Sequence, residues 1–550
     1  MIKKVLNVYR SRFKLVLAGA VAALTLLAWY NRFAQDDAFI SFRYARNLAE
    51  GAGLVWNQGQ RIEGYTNFLW TVAIGGLLRL GVEAVTASYA LGLLSFVVSL
   101  ILVYRTTLLL LRSADLGLLV VVLVGTNYSF SRYATGGLET QMQCCLCLGA
   151  TYLALRTSRD GPASPGVLAL SSVLAAAALM TRLDSVLLLA APGTITLWSL
   201  LSRPMRVGRK LVRAAALVGP ALVLVGAWFA WKLHYYGGIL PNTYYVKVPS
   251  RIALVRGGYF VYAFAFSYLL LPMIVVLAAA GGKLFRKSHR GLIAMLGSVV
   301  LWILYLLKVG GGFMEFRFMV PVWPAMMILL VWAVFAVAGE SKVRSALVAV
   351  VFLGSIHHAL TFGKHAFVRG IEPIGQLQAH LKSPSRNWEG IGRTLGKTLA
   401  RTGAIIAVMP SGAIPYYSRL ETVDMLGLSD AHIAREGVKI PGLGKPGHEC
   451  YDSDYVLARA PEWMTLQPFP DLFLSGGTPE LTSELDLTRR GELWERYHLV
   501  VPRAATVTVL HRRDDLEGLA RMDPAEWRGT WYFAPPYAEI STRPPPPPGP

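Results

Sequence analysis

The recurrence of long apolar runs limits what this chain can fold into more than any single motif does. Such runs occur at residues 15–31, 66–80, 84–111, 115–133, 138–155, 165–180, 183–202, 211–235, 259–280, 291–308, 316–338 and 343–361. Each is long enough, or nearly so, to cross a hydrocarbon core of ~30 Å as a helix. In lipid the backbone N–H and C=O groups must be satisfied within the segment, which favours helices over any open sheet. The fold class that follows is mainly α: a polytopic membrane bundle of about 11–12 transmembrane helices. Charged residues make up 16% of the chain, against roughly 25% in a soluble domain.

The charge balance orients this bundle. There are 54 Lys and Arg against 33 Asp and Glu, a net charge of +21. In a soluble protein that excess points to nucleic acid, but no basic stripe falls on a soluble element here. The positive charge gathers at the N-terminus and in the short loops 203–213 and 283–290. The positive-inside rule places these on the cytoplasmic side, with a secondary attraction to anionic headgroups. No small-residue cleavage site follows the first apolar run, which reads as an uncleaved helix. From Arg203 onward, alternation puts 235–259, 310–317 and everything after about 362 outside a plasma membrane. Six full spans between the first loop and Arg203 would invert that arrangement, so one candidate between 66 and 202 is expected not to cross. The 66–80 run is short, and the 165–202 pair is broken by Thr181-Arg182-Leu183-Asp184. A broken element is tolerated where it lines a protein cavity.

Past residue 362 the long apolar runs stop and Pro, Gly, Asp, His and Trp rise. Gly403–Met409, Tyr497–Val501 and Ala505–Leu510 read as strands. The expected division is a membrane domain at 1–362, an extracytoplasmic α/β domain at 363–540 and a proline-rich tail at 541–550. No solenoid repeat and no inverted repeat is evident. Cys144, Cys145 and Cys147 lie in an apolar run and Cys450 is remote. They spell neither a disulfide framework nor a metal site, and no cofactor is expected.

The first loop, 32–65, carries the densest polar chemistry. Asp36 and Asp37 sit at the mouth of the first helix, where carboxylates without a partner or a task are costly. Two adjacent acids cannot both ionise freely, so one is suited to proton transfer. A helix cap, or neutralisation by Arg43 and Arg46, is the structural alternative. Phe39, Phe42, Ala45 and Leu48 recur at helical spacing opposite the two arginines, which predicts a short helix along the membrane surface. Glu63, with Arg61 and Tyr65-Thr66-Asn67, suits sugar hydroxyls or simply closes a turn. Glu139 follows a glycine pair near the membrane, where it is also a favourable residue at a helix start. Arg182 with Asp184 offers either chemistry or a structural ion pair. The stretch from Tyr235 through Asn242 and Tyr244 to Lys247 suits carbohydrate or an interfacial aromatic belt. Gly310-Gly311-Gly312 followed by Arg317 can cradle and clamp a phosphate, or only turn the chain. His448 and Glu449 complete the set.

Taken together, Asp36-Asp37, Ile40, Arg43, Arg46-Asn47-Leu48, Gly51, Gly53, Val55, Asn57, Gly59, Arg61, Glu63, Thr66 and Trp70 resemble the first outer loop of GT-C membrane glycosyltransferases. The pattern is most similar to the terminal arabinofuranosyltransferases of mycobacterial and corynebacterial cell walls. Gly310–Pro321, Met425–Asp430 and Gly447-His448-Glu449 resemble the same group. The resemblance implies a multi-spanning enzyme with its active site on the outer face. It implies a polyprenyl-phosphate sugar as donor, a cell-envelope glycan or glycolipid as acceptor, and Asp36 and Asp37 as the essential acids. Family members often carry Asp after the glycine pair, where this chain reads Gly312-Phe313, so that carboxylate is missing. A lipid-linked donor stays in the bilayer while its sugar phosphate reaches the surface, and basic groups there can hold the departing phosphate. Arg43, Lys247 and Arg317 are the phosphate candidates. Glu63, Tyr65, Glu139, Arg182, Asn242, Tyr244 and His448 are the candidates for sugar or acceptor. The rival readings are a flippase of lipid-linked sugars, which calls for mid-membrane charges and repeated halves, and a non-catalytic envelope scaffold.

Overall fold

The computed structural model describes residues 2–541 except 160–163, 248–250, 285–288, 365–369, 384–385, 400–402, 441–447, 467–481, 504–508, 516–517, 519, 524, 526 and 534–539. All of the proline-rich tail beyond Ser541 lies outside the described residues. The first half is helical: α1 (Ile2–Tyr30), α2 (Asp36–Ala49), α3 (Phe68–Arg79), α4 (Ala84–Leu111), α5 (Ala114–Gly125), α6 (Tyr128–Arg132), α7 (Thr140–Arg159), α8 (Pro165–Thr181), α9 (Ser185–Leu201) and α10 (Val207–Tyr236). After these come α11 (Asn242–Val246), α12 (Arg251–Ser267), α13 (Leu271–Leu284), α14 (Arg290–Val309), α15 (Trp323–Val337) and α16 (Ser341–Thr361).

Among the described residues, α4, α10, α14, α16 and the Phe13–Tyr30 part of α1 are long and apolar enough to cross a membrane. The protein is a multi-span membrane protein. The shorter apolar helices are α3, α5, α8, α9 and α15. At 12 residues, α3 reaches about 18 Å, well short of a bilayer core. The 259–280 run is not one straight span. It breaks at Leu269, whose φ of 54° lies in the left-handed region, and α12 and α13 meet at 97°. Elsewhere glycine permits the packing. A Cβ on Gly257 of α12 would lie 2.5 Å from the Leu306 carbonyl oxygen of α14, so the two backbones touch there.

Beyond α16 the chain builds a mixed sheet. The elements are α17 (Ile374–Lys382), α18 (Trp388–Leu399), β1 (Ile405–Val408), α19 (Ala413–Ser418), β2 (Glu421–Asp424), α20 (Ala431–Glu436), β3 (Val438–Lys439), β4 (Cys450–Tyr451), α21 (Ser453–Ala458), β5 (Trp463–Thr465), α22 (Thr482–Thr488), α23 (Gly491–Arg496), β6 (Tyr497–Pro502), β7 (Val509–Arg512), β8 (Trp527–Phe533) and β9 (Ile540–Ser541). Seven strands run in the order β2-β1-β5-β7-β6-β8-β9. β1 pairs in parallel with β2 and β5, and the remaining pairs are antiparallel. Ile406, Ala407 and Val408 of β1 are wholly buried, as a strand covered on both faces requires. The strand expected at 505–510 begins later, at Val509, and 504–508 lie outside the described residues.

The junction of the two parts matters most for function. One apolar core runs from Ala38, Phe39, Phe42, Trp70 and Ile74 into Leu377, Trp388, Ile391, Ile406, Ala413 and Ile414. Helix α2 is therefore not a membrane-surface helix. Its amphipathic pattern is real, but the sheet domain covers the polar face, and every residue from Ala38 to Asn47 is buried. Burying a side chain such as Phe39 stabilises this docking by about 1.5–3 kcal/mol.

Candidate active site

The adjacent acids part company. Asp36 accepts hydrogen bonds from the backbone N–H groups of Ala413 (2.7 Å) and Gly412 (3.1 Å), tying the first turn of α2 to the start of α19. Burial pushes its carboxyl up to about 7, against the pull of those amides. The contact is tight: a Cβ on Gly412 would come within 2.0 Å of the Asp36 carbonyl oxygen. Gly412→Ala is thus expected to push the sheet domain off α2. The result should be a lower melting temperature and lost activity together, with membrane insertion unchanged in a protease-protection assay.

Asp37 is only half-buried. Burial raises its carboxyl to about 6, Arg317 and Lys247 pull it down, and Glu372 and Glu139 push it up. These four groups act on it electrostatically from the 310–317 loop, the α10–α12 connection, the segment before α17 and the start of α7. Glu139 is fully buried and holds the cluster together. Its Oε1 accepts from Arg317 (2.6 Å) and Arg182 (2.9 Å), and its Oε2 from Asn67 (2.8 Å). Burial alone would raise its carboxyl, but the two arginines prevail and hold it down at about 2. Arg182 also grips Asp184 (2.6 Å), which accepts from Gln143 (2.7 Å). Arg317 donates to Thr140 (3.0 Å). Lys247 is exposed and within electrostatic reach of Arg182, Asp184, Arg317 and Asp37.

Local backbone aims Arg317. The preceding Phe316 has φ 45°, a strained value for a bulky residue. Its ring is clamped by Phe260, Phe264, Tyr268, His358 and Phe362 at centroid distances of 5.0–6.1 Å. Glu315 is buried beside it, paired with His358 (2.8 Å) and accepting from the Ile374 N–H (2.6 Å). The glycine run thus serves close packing as well: a Cβ on Gly311, φ 69°, would strike the Phe260 ring at 2.6 Å.

Other sequence candidates fall elsewhere. Arg43 is corrected from phosphate candidate to interdomain clamp. It is buried and donates to the carbonyls of Trp56, Pro415 and Leu420 (each 2.7 Å) and to Asn57 (2.9 Å), leaving nothing for a ligand. Burial, then the neighbouring Arg46, push it down to about 9. Glu63 is likewise engaged, in a buried pair with Lys232 (2.9 Å). Burial lifts its carboxyl to about 7 even so. Tyr65 bonds Tyr236 (3.1 Å), and Asn242 ties Gly427 (2.8 Å) to Asp430 (2.9 Å). Tyr244 is exposed on the surface. His448 lies edge-on to Phe313 at 5.6 Å. None of these joins the Asp37 cluster in the contacts seen. Lys232 and Glu372 are not singled out by the sequence, and Asn67, read there with Tyr65 and Thr66, serves instead as a donor to Glu139. A lone Lys inside the 211–235 run was a usable signal, whereas nothing local marks Glu372. Among the described residues, no group of three or more His, Cys, Asp or Glu is placed to hold a metal ion.

The charged cluster lies at the junction of a helical bundle and a sheet domain, in a fold that is shared with a solved membrane protein, ArnT. The crystal structure of ArnT from Cupriavidus metallidurans bound to undecaprenyl phosphate superposes with a TM-score of 0.55, covering 92% of this chain and 99% of that one at 12% identity. Its apo form gives 0.55 at 13% identity. In sequence, the chain is similar to the terminal beta-(1->2)-arabinofuranosyltransferase of Mycobacterium tuberculosis, 28% identical over 342 residues, or 53% of this chain and 51% of the relative. The enzyme of the same name from Corynebacterium glutamicum is 26% identical over 366 residues, 60% of this chain and 51% of the relative. The chain thus spans about half the length of the curated relatives it matches. Residues 376–524 match a family model described as a domain of unknown function (DUF8728).

Proposed function

We propose that this chain transfers a sugar from a polyprenyl-phosphate donor to a cell-envelope glycan or glycolipid on the outer face of the plasma membrane. The observation that carries this reading is the placement of Asp37 against Arg317 and Lys247, where helices give way to the sheet domain. The relatives' names point to arabinofuranose as the sugar, and the undecaprenyl phosphate in ArnT points to the lipid carrier.

Each group has a distinct task in such a reaction. The bond from the anomeric carbon to the phosphate oxygen breaks, and its electron pair leaves with the lipid phosphate. Arg317 and Lys247 stabilise the charge that develops there. Arg182 is held by Glu139 and Asp184 and keeps Glu139 oriented toward Arg317. Ionised Asp37 receives the proton of the acceptor hydroxyl in a direct displacement, with inversion. If configuration is retained, it meets the anomeric carbon as nucleophile or ion-pair partner. The anomer of the product distinguishes the two routes.

The test is purified full-length protein in vesicles, given polyprenyl-phosphate arabinofuranose and an arabinan acceptor. Donor-dependent extension of the acceptor is expected. Movement of the lipid-linked sugar across the bilayer with no transfer would support the flippase reading instead.

A further inference from the structure

We propose that Glu315 is a positioning residue for Arg317: one buried carboxyl group fastens the loop that carries the arginine to helix α16 and to the start of α17 at once. This rests on the reading of Arg317 as a group that holds the donor phosphate.

Glu315 stands two residues before Arg317, and both of its oxygens are engaged. Its Oε1 meets Nε2 of His358 in α16 at 2.8 Å. Its Oε2 accepts from the N–H of Ile374, the first residue of α17, at 2.6 Å. Glu315 and His358 are both buried. Backbone contacts repeat the second tie. The Glu315 N–H donates to the Glu372 carbonyl (3.1 Å), and the Glu372 N–H donates to the Phe313 carbonyl (2.6 Å), so Met314 and Glu372 form a parallel bridge. Ring contacts secure the first tie. The His358 ring stacks on Tyr268 at 4.2 Å and 19°, and the Tyr268 hydroxyl accepts from the Ser129 N–H (3.0 Å).

These ties hold a short and costly piece of backbone. Between Glu315 and Arg317 stands Phe316 at φ 45°, a conformation that persists in a bulky residue only where its surroundings over-determine it. The Phe316 ring belongs to the same apolar core as Ile374. Downstream, the Phe318 carbonyl accepts from Trp302 Nε1 of α14 (2.6 Å). The backbone of Arg317 is thus fixed from both sides, while Glu139 and Thr140 hold its guanidinium.

The two acids therefore do different work. Glu139 fixes where the charge of Arg317 lies, and Glu315 fixes where its side chain starts. A buried pair such as Glu315 with His358 often adds little net stability over apolar side chains of the same volume, and the geometry it imposes is the effect that remains. A misplacement of about 1 Å can cost on the order of 10²-fold in rate. Because α17 is the first helix after the membrane bundle, the aim of Arg317 depends on the seating of the sheet domain as well.

The experiment is a double-mutant cycle on sugar transfer. Full-length wild type, Glu315→Leu, Arg317→Ala, the double variant and Glu315→Gln are compared in vesicles given polyprenyl-phosphate arabinofuranose and an arabinan acceptor. Glu315→Leu keeps much of the volume and removes both ties, and should lower transfer about 10- to 100-fold. With Arg317 already replaced by Ala, the same change should cost less than about 3-fold, because a residue that acts through the arginine has nothing left to position. Glu315→Gln can still accept from Ile374 and can donate to a His358 ring whose hydrogen sits on Nδ1, so its transfer should stay within about 3-fold of wild type. An equal loss in both backgrounds, full transfer by Glu315→Leu, or Glu315→Gln as poor as Glu315→Leu overturns the proposal. Wild-type transfer by Arg317→Ala would instead overturn the reading of Arg317 itself, whatever the Glu315 variants show.

Discussion

Asp37→Asn is expected to lower sugar transfer by about 10²- to 10⁴-fold, the range typical for loss of a proton-transfer group. The fold should survive, because among the described residues no side-chain hydrogen bond is seen to Asp37, which is half-exposed. The neighbouring Asp36→Ala should behave in the opposite way. It removes the acceptor for two buried N–H groups, at about 1–3 kcal/mol for each group left unsatisfied. Its main effect is then a lower melting temperature, with activity lost through undocking. Transfer rates set beside thermal unfolding in detergent separate the two. The pH dependence carries the same signature. Burial raises Asp37 to about 6, so its ionised fraction, and with it the rate, falls as pH drops through about 6. Because its pKa is raised, ionisation of Asp37 costs the fold stability, as befits a group retained for chemistry.

Glu139→Ala is expected to do the most damage to the structure itself. It strands the Arg317 guanidinium and leaves Arg182 with Asp184 alone in a largely buried cluster, and breaking a buried ion pair in this way costs about 3–5 kcal/mol. Arg317 also loses the anchor that fixes its aim, so activity should disappear along with stability. Glu139→Gln keeps hydrogen-bonding capacity but not charge, and should fall between wild type and alanine on both measures. The pH linkage has the opposite sign to that of Asp37. Glu139 is held at about 2, below its ordinary 4.5, so its stabilisation is complete above 4.5. It drains away as pH falls from 4.5 toward 2, and acid unfolding of Glu139→Gln should lack that contribution.

Much of this architecture could be read from local pattern. The apolar runs announced the helices, the short β1 run announced a buried strand, and Glu139, Arg182 and Arg317 stood out as charges at helix ends. What escaped depends on segments far apart in the chain. The sequence offers no reason to separate Asp36 from Asp37, because the difference is made by Gly412 and Ala413, more than 370 positions away. The charged stripe of α2 resembled a water-facing surface. Its arginines instead donate into carbonyls of residues 415–420. Glu372 has no local signal, since what places it is backbone pairing with the Phe313 loop. It also supplies a carboxylate beside the loop position where Phe313 stands. The break at Leu269 was missed because hydropathy reports burial in lipid, not backbone direction.

Cryo-electron microscopy of the full-length protein with a polyprenyl-phosphate analogue bound tests the central claim most directly. The phosphate is expected within hydrogen-bonding distance of Arg317 and Lys247, with Asp37 facing the attached sugar carbon. A phosphate seated away from both side chains, with Asp37 turned from it, would contradict the account.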